Sequence, residues 1–126
     1  VLRAVGLLDL LAWIAIIAPA TQIAAMHARL GMGPFPEAPI AMYLTRTASL
    51  LYGFCGLLLL FLSRDVVRYS PVIRFLAYAG VCASLLLLSI DITTGMPLWW
   101  AIFESSACAG LWALVAWCEA RSRAGL

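Results

Sequence analysis

Among the charged side chains in or at the ends of the long apolar runs of this sequence, Arg46, Asp91 and Glu104 interrupt or end stripes of small residues. In a bilayer, a charge at mid-depth costs about 2.5–3.5 kcal/mol on insertion scales and less toward the edge, so such residues normally pair. One guanidinium fork can face two carboxylates. The triad would keep one unbalanced negative charge, which invites a shared proton, a bound cation or a further donor such as His27. Two chemistries follow. The cluster either binds or moves a proton or cation, or it is an ion pair that fixes helix register. Asp9 is a separate acid within reach of Arg3 or Arg74, and it reads as structural.

The elements that must position these residues are membrane helices. The chain has 126 residues, 65% of them hydrophobic and 11% charged, with a mean hydropathy of +1.03. Both values lie far from those of soluble domains. Four apolar runs, residues 4–26, 40–62, 72–90 and 98–118, are each long enough to cross ~30 Å at 1.5 Å per residue. The sequence therefore predicts an all-α, four-transmembrane-helix bundle in one domain, with too little chain left for a soluble catalytic domain. Ser70 and Pro71 predict an N-cap and first-turn proline for the third helix, Gly95 its end and Pro97 the start of the fourth. Ala18-Pro19-Ala20 resembles a signal-cleavage site, but the run continues past it to a length beyond a signal h-region. Residues 27–39, with two glycines and three prolines after Leu30, predict an irregular outer segment.

An even number of spans puts both termini on the side of the 63–71 loop. Arg3, Arg64, Arg68, Arg74, Arg121 and Arg123 fall on that side, Arg29 and Arg46 on the other. The positive-inside bias predicts cytoplasmic termini. Trp99-Trp100 and Tyr69 are placed as interfacial anchors at opposite ends.

Small residues mark the packing faces, because membrane helices associate by close backbone approach and polar contact. Ser49, Gly53 and Gly56 continue the stripe of Arg46, and Ala77, Gly80 and Ser84 lead to Asp91. On the fourth helix the expected stripe is Ala101, Glu104, Cys108 and Leu111, with Ser105 and Ser106 beside it. Arg46 and Glu104 would each lie roughly 8–9 Å inside the outer boundary, with Asp91 just above them.

Other chemistry has less to stand on. Cys55, Cys82, Cys108 and Cys118 have no CxxC spacing and read as packing residues. His27, the single histidine, excludes bis-histidine haem ligation within the chain. It leaves a single axial contact to a haem or pigment, against the plainer role of a polar anchor. No cofactor and no metal is predicted. No Walker loop, HExxH, GxSxG or dinucleotide fingerprint occurs, and a net charge of +2 is too small for a nucleic-acid surface.

Residues 43–53, the segment Ser89-Ile90-Asp91-Ile92-Thr93-Thr94-Gly95-Met96-Pro97-Leu98-Trp99-Trp100, and Glu104 resemble small uncharacterised bacterial four-helix integral membrane proteins. These carry an Arg in helix two and a D-x(3)-G-x-P turn between helices three and four. The resemblance covers about residues 40–120. It implies four membrane helices and an inward-facing polar cluster in a bacterial inner membrane, and it brings no activity with it. The leading expectation is a non-enzymatic accessory or scaffold subunit of a larger membrane complex, with lipid and other subunits as partners. Against it stand a small carrier or proton-handling protein using Arg46, Asp91 and Glu104, and, more weakly, an enzyme acting on a lipid or quinone.

Overall fold

The computed structural model describes residues 1–124. The described residues are all-α, without strands: α1 (Leu2–Leu11), α2 (Ile14–Ile17), α3 (Ala20–Arg29), α4 (Pro39–Leu62), α5 (Ser70–Thr93) and α6 (Leu98–Ala124). Among the described residues three helices are long and apolar enough to cross a membrane: Pro39–Leu62, Ser70–Thr93 and Leu98–Arg123.

The first apolar run departs from the expectation of one helix over 4–26. It is three pieces, the longest ten residues, a length of about 15 Å. The two interruptions have different causes. Pro19 lacks an N–H and disfavours helical geometry in its predecessor, so Ala18 is extended at φ −63°, ψ 139°. Around Ala12 and Trp13 the backbone tightens, with Ala12 N–H bonded to Asp9 O and Trp13 N–H to Leu10 O, both i to i+3 contacts.

The chain divides into two compact units, residues 3–61 and residues 62–126 with 1–2. In the first, the α1–α3 segment runs antiparallel beside α4. Its Gly6 meets Gly56 so closely that a Cβ on Gly56 would stand 2.6 Å from the Gly6 carbonyl oxygen and 3.0 Å from Leu10 N. Further along, the Trp13 indole donates to Leu50 O at 3.2 Å and lies over Gly53. Ala20 and Ala24 then share a cavity of about 470 Å³ with Pro39 and Met42. Ser49, Gly53, Gly56, Leu59 and Leu62 are the buried stripe of α4, at the three- and four-residue steps a helix repeats.

In the second unit α5 and α6 form an antiparallel hairpin. Gly95 ends α5 at φ +77°, a conformation open to glycine without a Cβ penalty. Gly95 N–H bonds to Ile92 O and Met96 N–H to Asp91 O, which is a Schellman closure. The Asp-x3-Gly spacing is thus the spacing of that cap. Pro97 O then accepts the N–H groups of Trp100 and Ala101. At the other end, the N-cap of α5 is Tyr69 and makes no side-chain cap; Ser70, expected there, is already helical and turns its hydroxyl elsewhere.

The buried positions of α5 are Ile73, Ala77, Ser84 and Asp91, with Gly80 receiving the indole of Trp112. On α6 they are Ala101, Ser105, Val115 and Glu119. Leu111, expected on this face, is 38% exposed. Seating Trp112 against Gly80 turns the buried face about one residue away from the stripe through Glu104 and Leu111.

Candidate functional site

Asp91 and Glu104 belong to the hairpin and Arg46 to the other unit. Asp91, 6% exposed, lies in the last turn of α5. Its backbone carbonyl takes the Schellman bond, and its Oδ2 is buried without a hydrogen-bond partner among the described residues. Glu104 is half-buried, and its Oε2 accepts from the Trp100 indole at 2.6 Å, one turn earlier on α6. Trp100 is itself packed edge-on against Trp99, with ring centroids 5.5 Å apart. The end of the hairpin thus holds one carboxylate short of a partner and one held by an indole.

Deeper in the hairpin, Ser84 donates to Gly80 O at 2.8 Å, while the buried Ser105 Oγ has no partner among the described residues. Both line a cavity of about 210 Å³ walled by Leu85, Leu88 and Ile102. A buried polar atom without a partner costs of order 1–3 kcal/mol, so among the described residues Asp91 and Ser105 are places where the α5–α6 pair is short of a hydrogen bond.

Arg46 lies on an exposed face of α4. Its Nη2 donates to the carbonyl of Ala18 at 3.4 Å, the residue extended by Pro19. The guanidinium therefore reaches a backbone oxygen at the helix interruption, where polar groups need partners inside a membrane. His27 is half-buried near the end of α3. Its Nδ1 lies 3.1 Å from Gly33 O; a carbonyl can only accept, so Nδ1 is the donor. With Phe35 edge-on at 5.4 Å, the imidazole pins the Pro-rich segment to α3. Cys55, Cys82 and Cys118 are free thiols, and Asp9 lies beside Gly56.

One polar group has no counterpart in the sequence reading. Glu119, 6% exposed, accepts from Ser70 Oγ at 2.5 Å and pairs with Arg123 Nε at 2.5 Å. Arg123 Nη2 also donates to Ser70 Oγ. The three side chains close a ring across the end of the hairpin opposite Asp91. Part of this was open to inspection: Glu119 and Arg123 are one turn apart, and Glu119 continues the α6 face four residues beyond Val115. Ser70 is 49 residues from Glu119, and only the hairpin register joins them.

Among the described residues no group of three or more His, Cys, Asp or Glu side chains is placed to hold a metal ion. The chain matches no protein-family model, no curated protein and no solved structure. Its class rests on its own features. The most apolar stretches of its three long helices are only 17–22% buried within the chain, and Phe54, Phe75, Leu85, Leu86 and Phe103 are among many large apolar side chains left exposed. Exposed apolar surface on that scale calls for lipid or another helix to cover it, and the fold is that of a helical membrane protein.

Proposed function

We propose that the chain is a non-enzymatic integral membrane protein of the bacterial inner membrane that acts as an accessory or scaffold subunit of a larger membrane complex. The observation that carries this reading is the 17–22% burial of its membrane-length helices: most of each apolar face remains open, and a subunit uses such faces to pack against other helices. The test is purification from native membranes in mild detergent followed by native mass spectrometry. A stoichiometric heteromeric complex is expected. A chain that runs alone, or only with copies of itself, overturns the reading.

Both termini lie in the cytoplasm in this proposal. Its support is the Arg count by side, together with an N-terminal segment that runs antiparallel to α4 for its length. In intact cells, Ser122→Cys is expected to resist an impermeant thiol reagent and Met32→Cys to react, each scored against the background of the four native cysteines. The reverse pattern would overturn the topology.

A second reading, a small carrier or proton-handling protein, is favoured by the buried and unpartnered Oδ2 of Asp91. A carboxylate so placed is a site where a proton or cation supplies the missing contact. Proton or cation flux into liposomes holding the purified chain, abolished by Asp91→Asn, is the result this reading requires.

A further inference from the structure

We propose that the end of the α5–α6 hairpin around Ser70, Ser122 and Arg123 is a binding site for the phosphodiester headgroup of an anionic phospholipid. The proposal rests on the membrane reading and is independent of the subunit role. The hairpin is electrically polarised. Arg64, Arg68, Arg74, Arg121 and Arg123 stand at or near one end, whereas the stretch from Ser84 to Ser106, which includes the other end, carries Asp91 and Glu104 and no basic residue. At the basic end a cavity of about 130 Å³ is lined by Val66, Val67, Ser70, Glu119, Ser122 and Arg123.

Glu119 would repel an anion there if its charge were open, but it is buried and its Oε1 is taken by both Ser70 and Arg123. Arg123 stays 42% exposed at its side chain. A guanidinium has five N–H donors; the Nε donor meets Glu119 and one on Nη2 meets Ser70, which leaves three for a ligand. The pair therefore holds a pre-oriented guanidinium at the cavity mouth, the geometry in which arginine takes phosphate oxygens. Ser122 donates its hydroxyl to Cys118 O at 3.1 Å, so it lines the cavity without donating to the ligand and leaves that role to Arg123.

The occupant is a lipid and not a soluble anion because Val66 and Val67 give the cavity an apolar wall at the end of two helices of membrane length. Val67, in the cavity wall, is 70% exposed; on another face of α6, outside the cavity, the exposed Trp117 lies under Arg121 at 4.4 Å. An indole beneath a cation at a helix end suits the headgroup layer, and acyl chains can continue along the exposed faces of Val72 and Leu114.

The full chain is first tested for resistance to alkaline carbonate extraction; release from membranes would fail the membrane reading itself. It is then purified in detergent doped with equimolar dioleoylphosphatidylglycerol and dioleoylphosphatidylcholine, and retained lipid is counted by native mass spectrometry. Phosphatidylglycerol is expected to be retained about tenfold over phosphatidylcholine, and Ser122→Asp to cut that preference about fivefold, the effect of one interfacial charge. Ser122→Asp leaves the Glu119 ring in place, so it decides the matter even where Arg123→Gln weakens the fold. No preference in the wild-type chain, or a preference unchanged in Ser122→Asp, overturns the site. Displacement of the lipid by equimolar sn-glycerol 3-phosphate overturns the assignment to lipid in favour of a soluble anion.

Discussion

Gly56→Leu is expected to detach the N-terminal segment from α4. Even a Cβ at this position would lie 2.6 Å from the Gly6 carbonyl oxygen and 3.0 Å from Leu10 N, and both are backbone atoms that cannot rotate aside. Accommodating a leucine means moving two helices apart, with loss of the contacts around Gly6 and Asp9, at a cost of about 3 kcal/mol or more. Leu57→Ala, at a position 45% exposed, serves as the comparison and should change stability by well under half as much. Thermal unfolding of both variants in detergent, followed by tryptophan fluorescence, reads the difference. Equal midpoints would show that the Gly6–Gly56 approach does not hold this unit together.

The second large effect is expected at the basic end of the hairpin. Arg123→Leu removes the cation from a carboxylate that is 6% exposed, leaving Glu119 with the Ser70 hydroxyl as its remaining partner in the ring. Breaking a buried pair from one side costs about 3–5 kcal/mol, whereas exposed pairs are worth under about 1 kcal/mol. Arg123 is 42% exposed, so a loss of about 2 kcal/mol is expected. Adding Glu119→Gln should recover most of it, because a neutral amide can still accept from Ser70 and no longer needs a counter-charge. A double-mutant cycle on unfolding free energies measures the coupling; a value near zero would mean that the ring contributes nothing to the fold.

These two sites were legible in the sequence to different degrees. Ser49, Gly53 and Gly56 stand at helical spacing on one apolar run, and a stripe of small residues is a local pattern that needs no partner to be seen. What it meets is another matter, since Gly6 is 50 positions away and ordinary in its own context. Glu119 and Arg123 are one turn apart and can be paired on paper, but their placement with Ser70 depends on how α5 and α6 align, which the Gly95 turn and the seat of Trp112 on Gly80 decide. The same seat displaced Leu111 from the buried face where its spacing put it.

The sequence by itself determined that the chain is helical and marked four runs of membrane length, three of which became long apolar helices among the described residues, because hydropathy summed over some twenty residues outweighs any one substitution and bilayer thickness sets the scale. It also determined the turn between α5 and α6, whose Asp91–Gly95 spacing is a local hydrogen-bonding requirement. Only the tertiary structure decided the fate of the first run. Pro19 announces a possible break, yet proline is tolerated within membrane helices when neighbours satisfy the freed backbone; here the Arg46 guanidinium reaches Ala18 O and the chain divides into α2 and α3. The positions of Arg46, Asp91 and Glu104 were likewise beyond local reading. Burial and pairing depend on which helices adjoin, and a helix with apolar residues on every side carries little in its own sequence to say which face will meet a neighbour and which will meet lipid.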